Sequence, residues 1–392
     1  MTASYNSVSE VTFCPICQKK GQTLIYLNDY PVTEIYQKFQ KNNFMGPMSF
    51  NQGLNYCSKC NHAFLKTLLS RDFIYNNYNT HSVTSIGSMQ ALDNFYKFVS
   101  IHLREVPTTI VDIGANDTTL LKKYKNSGAR LVGIDPNVLS DEPEIEIIKD
   151  YVENVDFGEL TSSKRLFLCS HTLEHIFEPA KFLSILSRKA NTSDDFFFQF
   201  PSLDLLVRDG RFDQIHHQHI NYFSLFSFAK LLKQCGFQLI AHQFDSDHYG
   251  ALMCHFKKFE SIDGNDTQAA IYSIGDILLS YESFKSATAS ADIRLSICSE
   301  GFACYGASLM LPILKYYVPS IAKAHVILDS SKEKFGLSYV NFDIEICDTE
   351  KYNYINSDIV VTAVSTKFAT RKIVNRLIDL QTRNIILPYN TI

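Results

Sequence analysis

The residues best equipped for chemistry are histidines. His216, His217, Gln218, His219 and Tyr222 fall within the stretch Phe212 to Phe223, and His171 and His175 lie in Ser170 to Pro179. Imidazole titrates near neutral pH, so it can take a proton from a carbon acidified by a neighbouring ketone. Methyl transfer to carbon needs such a base. Histidines two or three apart can also bind a cation, but no carboxylate or cysteine set stands out beside these. His217 is the member most expected to be packed as a structural histidine.

Two turns are placed to seat a nucleotide-like ligand. Val111-Asp-Ile-Gly-Ala-Asn-Asp117 follows an apolar strand start and precedes a helical stretch, so Gly114 lets the backbone approach a ligand closely. The segment lacks the three-glycine dinucleotide fingerprint, which argues against NAD. One strand later, Gly133-Ile-Asp135 places an acid where it can accept ribose hydroxyls. Asp-x-Gly followed by a strand-ending acid points to S-adenosylmethionine. An NAD fold and a ligand-free α/β module are the alternatives. Asp150 is either the next adenosine-facing acid or a solvated loop residue.

Cys14-Pro-Ile-Cys17 and Cys57-Ser-Lys-Cys60 are paired Cys-x-x-Cys knuckles. Two knuckles complete a four-sulfur tetrahedral site, closed to water and therefore structural, for Zn2+. His62 is a weaker rival ligand, and four unrelated thiols or two redox pairs are the other options.

The elements that must position these residues divide into three textures. Residues 1–70 are rich in turn formers and carry the zinc module. Residues 71–260 alternate strands (Thr109–Ile113, Arg130–Ile134, Leu166–Ser170, Phe196–Phe200, Gln238–His242, Leu252–Phe256) with helices (Met89–Leu103, Thr118–Tyr124, Pro179–Ser187, Leu225–Cys235). Alternation of this kind predicts a mostly parallel, helix-covered sheet. Residues 261–392 begin with a connector helix, Ala269–Ser286, and resume the alternation at Ala303–Tyr305, His325–Leu328, Ile359–Ala363 and Asn384–Leu387. The expected class is α/β: a small zinc-binding N-terminal module, a Rossmann-like class I methyltransferase core and a second Rossmann-like C-terminal domain.

The 392 residues carry a formal net charge of -4, so no nucleic-acid or membrane surface is indicated. The N-terminus lacks a signal-peptide pattern and no apolar run is long enough to span a bilayer. Ten cysteines then read as metal ligands and buried thiols, and the setting as cytoplasmic.

From Cys14 to about Pro388 the chain resembles the three-domain sugar C-methyltransferases that act on carbon 3 of dTDP-4-keto-deoxysugars. The anchors are the paired knuckles, Asp112 to Asp117, Gly133 to Pro136, His175, Phe212 to Ser224, Tyr305-Gly-Ala307 and Val326 to Gly336. The resemblance implies that His219 is the base, that His175, with His216 and Gln218, belongs to the catalytic group, that Asp112, Gly114, Asn116 and Asp135 contact the cofactor, and that Tyr78 and Tyr222 contact substrate. It also implies a nucleotide-linked keto sugar as partner, in monomer or homodimer. The family's Tyr-His-Glu-His is here His216-His-Gln-His219, and Gln199, Met253 and Met310 replace a glutamate, an arginine and a lysine. These changes leave the sugar, the nucleotide and carbon-versus-oxygen acceptance open, with an O-methyltransferase or a silent sugar-nucleotide binder as rivals.

Overall fold

The computed structural model describes residues 8–33, 35–40, 48–70, 73, 86–138, 140, 142–158, 160, 163–245, 247–248, 251–259, 268–298, 301–364 and 366–389. At its centre is a seven-stranded sheet. Its order is Phe237–Asp245, Ala251–Lys258, Asp195–Pro201, Arg165–Ser170, Thr109–Ile113, Arg130–Ile134, Ile145–Ile148. The last five are mutually parallel, and Ala251–Lys258 runs antiparallel to both of its neighbours. Every residue of Thr109–Ile113 and of Asp195–Pro201 is buried, as expected of inner strands covered on both faces by helices.

From Thr109–Ile113 the chain builds outward through Arg130–Ile134 to Ile145–Ile148. It then crosses back to lay Arg165–Ser170 on the other side. The reversal opens a crevice beyond the carboxyl ends of Thr109–Ile113 and Arg165–Ser170, where ligands of open α/β sheets bind. Gly114 and His171, the first residues past those strands, both border it.

The strand Ile145–Ile148 was not among those expected; it is short, and only Ile145 is fully buried, so its apolar pattern is weak. The connector helix runs Ile274–Ser296, later than Ala269–Ser286. Ser273 Oγ accepts the Asp276 N–H while the Asp276 carboxylate accepts the Ser273 N–H, and this reciprocal cap fixes the start.

The cysteine knuckles sit on a four-stranded antiparallel sheet ordered Asn221–Phe223, His62–Leu65, Ser49–Cys57, Gln22–Pro31. The long hairpin pairs Gln22 with Tyr56 and Pro31 with Ser49, so the chain leaves the first knuckle and returns to it. That accounts for the wide spacer between the two pairs. The fourth strand comes from the polypeptide just after His219, with Asn221 opposite Phe64 and Phe223 opposite His62.

The C-terminal sheet is wholly parallel, ordered Ile346–Asp348, Val326–Asp329, Ala303–Tyr305, Asp358–Val361, Asn384–Ile386. One apolar cluster joins Ile25, Leu27 and Leu54 of the N-terminal sheet to Ile277 of the long helix and Leu311 of the C-terminal unit. The strand Tyr36–Lys38 also pairs with Leu337–Tyr339. No helix among the described residues is long and apolar enough to cross a membrane.

Candidate active site

The crevice is a cavity walled on one side by Asp112, Gly114, Asn116, Asp135 and Asp150, and on the other by His171, His175, His216, Gln218, His219 and His248. Leu309 and Met310, from the loop after the first strand of the C-terminal sheet, close part of it. All four residues expected to hold the cofactor thus border the same space.

The glycine turn is held to the next strand by backbone. Gly114 N–H donates to the Ile134 carbonyl at 2.8 Å, with φ at +79°. Asn116 N–H donates to Asp135 Oδ2 at 3.2 Å and Asn137 N–H to Oδ1 at 2.8 Å. Each Asp135 oxygen keeps acceptor capacity for a diol. Burial raises the Asp135 pKa, and these two N–H donors oppose the rise. Asp112 is pushed further, to about 8, first by burial and then by the Asp135 and Asp117 carboxylates.

The opposite wall is built from two segments laid side by side. Ile220 N–H donates to the Glu174 carbonyl at 2.8 Å, and His175 Nδ1 lies 2.8 Å from the Gln218 carbonyl. The second contact puts the hydrogen on Nδ1 and leaves Nε2 as the acceptor. His219 stacks edge-to-face on His175 at 5.1 Å between ring centroids and lies 3.8 Å from the His216 ring. Burial, reinforced by the charges of His216, His175 and His171, pushes the His219 pKa well below its usual value. A neutral imidazole at ordinary pH is the form that can accept a proton.

Glu174 changes the view of this cluster. It is wholly buried, and its Oε1 lies 3.3 Å from His171 Nδ1, 3.9 Å from His175 Nε2 and 3.9 Å from His219 Nε2. The expectation that no carboxylate accompanies the histidines is therefore corrected: Glu174 precedes His175 in the chain, but it also reaches His219 only because the two segments pair. His171, with φ at +52°, also brings its Nε2 to 3.1 Å from His248 Nε2. His248 carried no motif. Its neighbour in space was the missing signal.

Other expected residues fall elsewhere. Tyr222 is buried at 1% exposure within the N-terminal sheet, its hydroxyl donating to the Gln214 carbonyl at 3.3 Å, and it does not border the cavity. The expected substrate contact by Tyr222 is thus replaced by a structural one, because strand pairing turns the side chain toward the shared apolar cluster. Tyr78 lies outside the described residues. His217 is buried and away from the cavity.

Residues 89–242 match the methyltransferase-domain family. The chain carries a methyltransferase domain. The matched stretch contains the glycine turn, Asp135 and every histidine of the wall except His248. Among curated proteins, the chain is similar to C-methyltransferase NovU of Streptomyces niveus, 24% identical over 210 residues, covering 50% of this chain and 49% of that protein. The match thus spans about half the length of the relative. Among solved structures, it is similar to the Burkholderia thailandensis 1,6-didemethyltoxoflavin-N1-methyltransferase (14% identity, 58% of this chain, 100% of that one, TM-score 0.37). A second is an S-adenosylmethionine-dependent methyltransferase from Mesorhizobium loti (13% identity, 43% of this chain, 100% of that one, TM-score 0.35).

Away from the methyltransferase cavity, Cys14, Cys17, Cys57 and Cys60 bring their sulfurs within 4.8 Å of one another. Cys17 Sγ and Cys57 Sγ are 3.7 Å apart, close to the separation of roughly 3.8 Å set by tetrahedral bonds of about 2.3 Å. Gln18 and Asn61, each just past a knuckle, share a left-handed backbone at φ of +57° and +51°. The Cys14 sulfur holds the Cys60 thiol down to about 5, while the same contact raises Cys14. Four converging sulfurs of which one already favours the thiolate suit a metal ion. His62 is turned away, bonded at 3.3 Å to Asn221 Oδ1, and is not in the cluster.

Proposed function

We propose that this protein is an S-adenosylmethionine-dependent C-methyltransferase acting on a nucleotide-linked 4-keto-deoxysugar, at carbon 3. One observation carries the proposal: the imidazole wall and the glycine turn with its ribose-binding acid border a single cavity. Asp135 receives the ribose hydroxyls of the donor, and Asp112 and Asn116 line the same seat. His219 accepts the proton from the carbon next to the ketone, leaving an enolate whose carbon attacks the sulfonium methyl. The S–CH3 bond breaks as the new C–C bond forms, and neutral S-adenosylhomocysteine departs. Positioning supplies much of the acceleration, since the methyl donor is already activated.

His175, oriented by the Gln218 carbonyl, and His216 are assigned to the sugar oxygens. Leu309 and Met310 put the C-terminal unit over the cavity, in keeping with a cover for the nucleotide part of the substrate. The four cysteines are assigned to one structural Zn2+, a role that a closed sulfur shell with no open position fits. A cytoplasmic setting agrees with reduced cysteines serving as ligands and core thiols.

The name of the Streptomyces niveus relative favours carbon as acceptor over oxygen. The test is incubation with S-adenosylmethionine and a panel of nucleotide-linked 4-keto sugars, with NMR of the product. A new C-methyl signal supports the proposal. A methoxy signal transfers the reading to O-methylation, and no methylated product from any keto sugar rejects it.

A further inference from the structure

We propose that Glu174, His175 and His219 form a binding site for a divalent transition-metal cation, distinct from the cysteine centre and in competition with proton abstraction at His219. The ligand atoms of the three residues all lie within 4.8 Å of one another. Glu174 Oε1 stands 3.9 Å from each Nε2, and His171 Nδ1 approaches the same oxygen at 3.3 Å. A second, independent observation concerns the carboxylate. Glu174 is 0% exposed, and neither of its oxygens has a hydrogen-bond partner among the described residues. A buried carboxylate without donors is costly, so positive charge in front of it is strongly favoured.

The tautomer at His175 agrees. Its Nδ1 faces the Gln218 carbonyl at 2.8 Å, so Nε2 presents a lone pair toward Glu174. Ligating histidines characteristically give their other N–H to a backbone carbonyl, which fixes the ring and raises its basicity. Two imidazoles and one carboxylate suit borderline cations such as Zn2+ or Co2+, with coordination positions left over. Bonds of about 2.0–2.1 Å place tetrahedral ligand atoms roughly 3.3 Å apart. The observed 3.9 Å pairs close to that by small side-chain rotations. A cation held there commits the His219 lone pair, so metal occupancy and acceptance of the substrate proton exclude one another.

The inference stands on the side-chain geometry and does not need the sugar assignment. The test is titration of Co2+ into the full-length protein carrying a single equivalent of Zn2+, which the four cysteines take up, because Co2+ on nitrogen and oxygen ligands absorbs weakly in the visible. Cobalt on the cysteines would instead add intense thiolate charge-transfer bands. The expected result is one saturating equivalent with visible bands only, and binding at least tenfold weaker in Glu174→Gln. No saturable visible band in the wild type, or an unchanged titration in Glu174→Gln, overturns the site. Should circular dichroism show Glu174→Gln unfolded, His175→Gln provides the same readout from a ring 20% exposed. Calorimetry with S-adenosylhomocysteine on cobalt-free samples separates the two proposals. Binding of that ligand without a cobalt signal rejects the cation site alone, and a cobalt signal without it rejects the methyl-transfer reading alone.

Discussion

A β-carbon on Gly114 would stand 1.9 Å from Thr172 Oγ1. The turn that follows one central strand is thus packed directly on the turn that follows its neighbour, and the two walls of the methyltransferase cavity meet at this contact.

Gly114→Ala should therefore damage the cavity twice. A non-glycine residue at a φ of +79° is strained, at a cost on the order of 1–3 kcal/mol, and Thr172 must also move. The expected outcome is a loss of S-adenosylhomocysteine affinity of roughly tenfold or more, measured by calorimetry, with each factor of ten worth about 1.4 kcal/mol. Gly128→Ala is the control: its φ is +76°, but nothing lies within 4 Å of the added carbon. It should lower stability modestly and leave affinity unchanged. Equal affinity losses in both variants would refute the contact as the cause.

Asp112 should make both stability and donor binding pH-dependent. Its folded pKa of about 8 stands above the ordinary 3.8, so the folded chain holds a proton that the unfolded chain releases. Stability from this group is full below about 3.8 and declines as pH rises toward about 8. Asp112→Asn should flatten that decline in thermal melts, raising the melting temperature at pH 7.5 and weakening the ligand. An S-adenosylhomocysteine ammonium seated beside Asp112 would favour the charged carboxylate, so binding at pH 7 should release close to one proton. Calorimetry in two buffers of different ionisation heat measures it, and zero release contradicts the assignment.

His219→Asn should reduce turnover by about 10²–10⁴, the usual contribution of a positioned base, while donor binding stays near wild type. Because the His219 pKa is well below its usual value, this imidazole is already neutral at mildly acidic pH. The rate should not fall between pH 7.5 and 6.5 on account of this group. A titration centred near pH 6.5 that disappears in His219→Asn would show the burial argument to be mistaken.

Metal removal at the cysteines should reach the active site through one strand. Asn221–Phe223 begins two residues after His219 and is hydrogen-bonded to His62–Phe64, which follows the second knuckle. Pure protein is expected to hold one zinc per chain, and Cys60→Ser or a strong chelator should lower both melting temperature and turnover. Full activity in metal-free protein would show that the knuckle does not support the histidine wall.

Local chemistry made much of this protein legible from its sequence. Thr109–Ile113 and Arg130–Ile134 were placed to the residue, since short β-rich runs ended by Gly114 and Asp135 permit little else. The Cys-x-x-Cys pairs and the glycine turn are equally local, each signal held within a few consecutive residues. The tertiary structure alone decided three things: that Glu174 and His175 stand beside His219, that Tyr222 belongs to the N-terminal sheet, and that Met310 borders the cavity. Each depends on which distant segments pair, and a side chain's neighbours across a sheet or between domains leave no periodicity in the chain that carries them.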